Sequence, residues 1–283
     1  MTPGHDEIAS THGEESGSYR AGEGPPLLLL HGLAMSWRAW RPLLASLRTD
    51  HQVIAPTLPG HRGGPAAPAD VNVAWLADYL ETMLDEDGHD RVHVVGNSLG
   101  GWLALELARR GRACSVTAVS PAGAWRNGSD QRRVHTLLRA ADVVNRVPPA
   151  ASPVSAAMVS PLVRRAVLRG LMERGDRVAL GDALGILRDA HACRVVPALL
   201  RAGRRDRFEP NEELPCPVRV VWGRRDRVIP YERHGRPLIA RLPGAAQVSL
   251  PGAGHVPTWD APVLLTSLVR EQVALAERVG TGA

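Results

Sequence analysis

The segment Gly96-Asn97-Ser98-Leu99-Gly100-Gly101 sets a serine between two glycines, each two residues away. An apolar run containing Val92, Val94 and Val95 leads into it, and Trp102, Leu103, Leu105 and Leu107 follow at helical spacing. This pattern predicts a sharp strand-to-helix turn with the Ser98 hydroxyl standing clear of the backbone. Side chains at positions 96 and 100 would collide with the neighbouring strand and helix, so glycine is expected at both. The helix start also brings backbone N–H groups beside the serine, because the first N–H groups of a helix have no intrahelical acceptor. A serine placed this way is suited to attack a carbonyl carbon.

A serine hydroxyl is a weak nucleophile until a base takes its proton. The chain has 11 histidines, so the choice has to be argued. His255, in Pro251-Gly252-Ala253-Gly254-His255-Val256-Pro257, follows the last strand pattern and precedes the last helix pattern. It therefore sits on a loop at the carboxyl edge of a sheet, where Ser98 also lies. His93 falls inside a strand and reads as a core residue, and His234 reads as an exposed helix residue. His31 closes a strand and belongs to a separate motif, and His51, His61, His135 and His191 lack a comparable loop. The carboxylate partner expected for His255 is Asp226, in Trp222-Gly223-Arg224-Arg225-Asp226-Arg227-Val228, again just past a strand. The other place for an acid, after the strand that follows the Ser98 helix, reads Ser120-Pro121-Ala122-Gly123 and has no carboxylate. Charge developing on a carbonyl oxygen needs two backbone donors. Leu99, directly after the serine, and Leu33, after His31-Gly32, are the candidates. Gly32 lets the chain bend there, and His31 reads as a hydrogen-bonding support.

The elements that would position these residues alternate. Strand patterns are expected at Pro26–Leu30, Gln52–Ala55, Arg91–Val95 and Ser115–Val119, with helices over Trp37–Leu47, Val71–Asp85 and Leu99–Arg110 between them. Such alternation implies a mostly parallel sheet covered by helices. From Pro121 to about Pro215 only helical patterns appear: one from Ser129 or Asp130 to Arg146, then stretches around 153–170, 176–190 and 194–203. Alternation resumes with a strand at Val218–Trp222, a helix at Tyr231–Leu242, a strand at Gln247–Leu250 and a helix at Thr258–Val279. The expected organisation is a flexible segment 1–24, in which Tyr19-Arg20 forms one strand of a short hairpin, an α/β core of 25–121 and 216–283, and a helical insert of 122–215.

Composition narrows the function classes. The 283 residues are 44% hydrophobic but only 4% aromatic, so a pocket wall would be mostly aliphatic with a few Trp. Trp37, Trp102, Trp125, Met158 and Trp259 are the candidate pocket residues, each also readable as core. The formal net charge is +5. All the basic residues are Arg, scattered in ones and twos without interleaved aromatics, so no nucleic-acid-binding stripe is present. Three cysteines, Cys114, Cys193 and Cys216, give neither a disulfide framework nor metal spacing and read as buried thiols. The polar, acidic start lacks the features of a signal peptide. No apolar run approaches the ~18 residues of a membrane span. A cytoplasmic protein is the expectation, and the oligomeric state is not legible.

Together Leu30-His31-Gly32-Leu33, Leu58-Pro59-Gly60-His61, Gly96-Asn97-Ser98-Leu99-Gly100-Gly101, Asp226 and Gly254-His255-Val256-Pro257 resemble the α/β-hydrolase family, most of all its carboxylesterase and carbon–carbon-bond hydrolase branches. The resemblance covers roughly residues 18–279. It implies an eight-stranded sheet core, with the insert serving as a helical cap, or lid, after the strand that follows the nucleophile helix. The order Ser98, Asp226, His255 is that family's order. Thr57 stands where the family usually has Asp before Leu-Pro-Gly, and the family's first two strands are hard to find. Dehalogenases and epoxide hydrolases of this fold use an Asp nucleophile, and Ser98 argues against both. The implied activity is hydrolysis of an apolar, small-molecule carboxylic ester through an acyl-enzyme, with no metal or organic cofactor. Carbon–carbon bond hydrolysis, lactone hydrolysis, cofactor-free perhydrolysis and non-enzymatic ligand binding are the alternatives.

Overall fold

The computed structural model describes residues 17–123, 132, 134, 136, 138–139, 148–149, 152–203, 207–208 and 213–280. Seven strands form one sheet in the order β1-β3-β2-β4-β5-β6-β7. They are β1 (Ser18–Ala21), β2 (Pro26–Leu30), β3 (Gln52–Pro56), β4 (Val92–Asn97), β5 (Ala113–Val119), β6 (Val218–Gly223) and β7 (Ala246–Leu250). β1 pairs antiparallel with β3, and every other pairing is parallel.

The strands are short apolar runs because both faces of the sheet are covered. Leu28 and Leu30 of β2 point to one side, into a core with Val94, Val116, Val220 and Trp222. That side is covered by α2 (Val73–Glu86), α3 (Leu99–Arg109) and α8 (Tyr231–Ile239). Leu27 and Leu29 point the other way, into a core with Val95, Val119 and Val221. Here the cover is α1 (Arg41–Leu47) and α9 (Pro262–Gly280). All described elements between β5 and β6 are helical: α4 (Pro153–Ala157), α5 (Pro161–Leu168), α6 (Leu180–Ala192) and α7 (Val196–Ala202), with a 3-10 turn at Gly175–Arg177. Arg132, Val134, Thr136, Leu138 and Arg139 are helical too, and the rest of the helix expected from Ser129 or Asp130 to Arg146 lies outside the described residues. The insert shares a third core with the sheet-edge loops, in which Met158, Leu168, Met172 and Ile186 pack on Met35, Val256 and Trp259.

Several boundaries differ from the sequence expectation, and proline accounts for three of them. Residues Trp37–Trp40 form a 3-10 turn, and α1 begins only at Arg41, with Pro42 in its first turn. A proline lacks the N–H that a helix interior needs and is tolerated at the start. For the same reason the stretch 153–170 is two helices, the second starting at Pro161, and the last helix starts at Pro262 rather than Thr258. Tyr19-Arg20 is a strand but not part of a hairpin: β1 lies along β3 in the register Ser18↔Pro56 to Ala21↔Val53. The sheet therefore begins before residue 25. It has seven strands among the described residues, not the eight implied by the resemblance. His234 is buried, because it shares an inward stripe of α8 with Gly235 and Leu238. Cys193 and Cys216 are buried, and burial pushes Cys216 up to about 11. Cys114 is only partly covered.

Candidate active site

Ser98 occupies the turn between β4 and α3 at φ 55° and ψ −112°. Its backbone is pinned on both sides: its N–H donates to Val119 O at 2.9 Å, and its carbonyl accepts from Ala122 N at 2.9 Å and Trp102 N at 3.0 Å. A Cβ on Gly96 would stand 2.0 Å from Gly100 O, and one on Gly100 would stand 2.0 Å from Leu30 O. Both glycines are thus required by close backbone approach, one to the helix and one to β2. The Ser98 side chain makes no capping bond to α3, unlike the usual N-cap serine.

The segment after β2 turns tightly, with Met35 N donating to Gly32 O at 3.3 Å and Ala34 at φ 63°. Leu33 lies in this turn, and Gly32 packs against Ser98: a Cβ there would sit 3.3 Å from the Ser98 Cβ. His31 braces the turn. Its Nδ1–H donates to Gly32 O at 2.8 Å, and its Nε2 accepts from Leu58 N at 2.9 Å. Burial holds His31 well below its usual range, and the nearby His61 adds to the shift. The ring is neutral, as that pairing requires. His61 meets His31 edge-on at 4.9 Å between ring centres, and burial lowers it to about 4.

Asp226 follows β6 with its side chain fully buried. One carboxylate oxygen accepts from Val228 N and Ile229 N, both at 2.9 Å. The other meets His255 Nδ1 at 2.7 Å. This arrangement fixes the imidazole with Nε2 turned away from the acid. Asn97, the residue before Ser98, donates to Val119 O at 3.1 Å and to His255 O at 2.9 Å. It ties the serine strand to the histidine loop.

The insert holds the same two loops. Asp260 accepts from Gly254 N at 2.8 Å on the histidine loop, and from Glu173 N at 3.0 Å and Arg174 N at 2.7 Å on the insert. Val256 N donates to Leu171 O at 2.8 Å. The Glu173 side chain, almost wholly buried, pairs with Arg225 at 3.3 Å and with Arg227, the residues on either side of Asp226. These two guanidinium groups outweigh burial and hold the Glu173 carboxyl below its usual range. On the far side of the insert, Asp189 accepts from Ser36 Oγ at 2.5 Å and Arg62 at 3.1 Å. Burial raises the Asp189 carboxyl, and these two donors pull it back in part.

Between insert and core lies a cavity of about 690 Å³. Ser98, His255, Leu33 and Leu99 line it, with Trp102 beside them and Leu168, Leu171, Ile186 and Leu199 from the insert. The other candidate pocket residues go elsewhere. Trp37 stacks on Tyr19 at 5.6 Å, in the core on the opposite sheet face. Met158 and Trp259 pack inside the third core and do not line this cavity. Trp125 lies outside the described residues. Among the described residues no group of three or more His, Cys, Asp or Glu is placed to hold a metal ion, and no helix is long and apolar enough to cross a membrane.

Sequence reasoning did not single out Asn97, Ala34, Glu173, Asp189 or Asp260. Asn97 at least lies within the motif that carries Ser98, and Asp260 lies just past the one that carries His255. Glu173 and Asp189 sit in the insert and meet the core only through the fold.

Residues 27–267 match the family model described as the alpha/beta hydrolase family. The chain is 35% identical over 210 residues to epoxide hydrolase EphH of Mycobacterium tuberculosis, covering 69% of this chain and 92% of that protein. It is 30% identical over 269 residues to the pimeloyl-[acyl-carrier protein] methyl ester esterase of Aromatoleum aromaticum, covering 87% and 98%. A thermophilic esterase from Thermogutta terrifontis has the same fold, with a TM-score of 0.73 at 22% identity over 92% of this chain and 93% of that one. With a sheet of this order, helices on both faces and a family match along most of its length, the chain belongs to the α/β-hydrolase family and is a hydrolase.

Proposed function

We propose that the protein hydrolyses apolar carboxylic esters, with Ser98 as nucleophile, His255 as base and Asp226 as the partner of His255. The observation that carries this reading is the 2.7 Å contact of His255 Nδ1 with the buried Asp226, on a histidine that lines the same cavity as Ser98. Ser98 Oγ attacks the ester carbonyl as His255 Nε2 takes its proton. The N–H groups of Leu33 and Leu99 receive the developing oxyanion. His255 then returns the proton to the departing alcohol, leaving an acyl group on Ser98. Water, activated by His255, attacks that acyl group and releases the acid. Asp226 holds the imidazole in orientation and offsets its charge while it is protonated. The helical insert acts as the cap over this chemistry, and its aliphatic lining selects an apolar acyl or alcohol part.

The relative named as an epoxide hydrolase gives a specific reason to consider epoxide opening. The chemistry of the nucleophile weighs against it. A carboxylate that opens an epoxide forms an ester, which water can cleave. A serine would form an ether, which offers no carbonyl for water to attack. Carbon–carbon bond and lactone hydrolysis use the same acyl-enzyme and remain alternatives within the reading.

The test is a panel of p-nitrophenyl esters, lactones, vinylogous diketones and styrene oxide, assayed with the parent protein and Ser98→Ala. Ester turnover that disappears in Ser98→Ala, with the fold kept by circular dichroism, is the expected result. Epoxide opening that survives Ser98→Ala would overturn the assignment.

A further inference from the structure

The insert surface between Ser152 and Met172 carries no carboxylate. Its only charged residues are Arg164, Arg165 and Arg169. Val154, Val159, Leu162 and Val167 are exposed on this stretch, Leu162 to 76% and Val159 to 68%. Pro153, Ala156, Ala157, Pro161 and Ala166 are exposed between them. An apolar patch of this kind, rimmed by one sign of charge, marks an interaction surface. Arg227 donates to Arg169 O at 3.2 Å, which brings Arg225 and Arg227 to the same rim with much of their side chains in solvent. Carboxylates close to this rim among the described residues are already engaged, Asp260 by the backbone N–H groups of Glu173, Arg174 and Gly254. Glu173 is buried under those two arginines, and Asp176 faces Arg174 at 3.3 Å and Arg165 at 4.0 Å. Arginine still predominates. Val154, Val167 and Gly170 also line the cavity, so the patch runs into the cavity lip.

We propose that this face of the insert docks on an anionic lipid surface. The apolar side chains of α4 and α5 enter the boundary of the acyl chains, and the guanidinium groups meet the headgroup phosphates. A second copy of the chain is a poorer occupant, because a two-fold contact sets the same patch on itself and brings arginine against arginine. The cavity lip then faces the lipid, and an apolar substrate passes into the cavity without crossing water. This last consequence rests on the proposed function, whereas the docking itself does not.

Flotation with vesicles tests the docking without any turnover, so its failure leaves the proposed function standing. The protein is expected to float with phosphatidylcholine vesicles containing phosphatidylglycerol and to remain behind with phosphatidylcholine alone. Val159 and Leu162 are exposed and do not line the cavity, so Val159→Asp with Leu162→Asp should keep the melting temperature and lower binding at least about tenfold. Arg165→Gln and Arg169→Gln should each weaken it about fivefold. Flotation that ignores phosphatidylglycerol, an unchanged apolar double variant, or no flotation at all would overturn the proposal. So would a lipid-free dimer that the apolar double variant splits, since the patch would then belong to a second copy.

Discussion

At φ 55° the backbone of Ser98 lies where an L-residue is held only by its surroundings, at a cost of roughly 1–3 kcal/mol. Val119 O, Ala122 N and Trp102 N supply that hold. The turn fixes the serine before any substrate arrives. Asp226 is set in a comparable way, because two backbone N–H groups and His255 occupy both of its oxygens. Replacing Asp226 by Asn puts an amide where the imidazole N–H must be accepted, or turns that amide toward two N–H donors. The wrong imidazole tautomer is then favoured, and kcat for a p-nitrophenyl ester should fall roughly 10³–10⁴-fold with little change in melting temperature. A variant within tenfold of the parent would remove Asp226 from the assignment. The places of Ser98, Asp226 and His255 in the fold were legible because their neighbours are dictated locally: Gly96 and Gly100 have no room for a side chain, and the loops follow recognisable strands. Ala34 was not legible, since an alanine at positive φ leaves no mark in the sequence. Trp37, Met158 and Trp259 lie in cores, one of the two places the sequence left open, because a large apolar residue looks the same in a core and in a cavity wall.

At the scale of elements, the turn after α5 joins the loops that carry Asp226 and His255. Asp260 is the centre of that joint, with backbone donors from Glu173, Arg174 and Gly254. Bonds to a charged group contribute on the order of 1.5–3 kcal/mol each, and removing the carboxylate leaves the donors unpaired. Asp260→Ala is expected to lower kcat about 10–100-fold per active site titrated with a fluorophosphonate, while KM stays within about twofold. The comparison is Asp182→Asn, which loses the 2.5 Å pair with Arg41 and loosens the insert elsewhere. Its kcat should be unchanged. Equal losses in the two variants would mean that any detachment of the insert has the same effect. The existence of these helices was readable from spacing, and their prolines explain the shifted ends. The joint itself was not readable, because Glu173 and Asp260 are 87 positions apart and meet only when the sheet is complete.

At the scale of the molecule, the sheet brings together residues from four separate stretches of the chain. The parallel order places the ends of β2, β4, β5, β6 and β7 side by side, so Leu33, Ser98, Asp226 and His255 gather at one edge. Alternating strand and helix patterns were enough to foresee that edge. They were not enough to place β1, which is four residues long and pairs with β3 across the chain. The insert closes the edge and leaves an aliphatic cavity over Ser98. The central claim is that Ser98 is a nucleophile activated by His255. Its most direct test is labelling of the purified protein with a fluorophosphonate, followed by peptide mass analysis, in the parent and in His255→Ala. A single adduct on Ser98 in the parent, slowed by at least about a hundredfold in His255→Ala, is expected. A folded parent that takes no label at Ser98, or a variant that labels as fast as the parent, would contradict it.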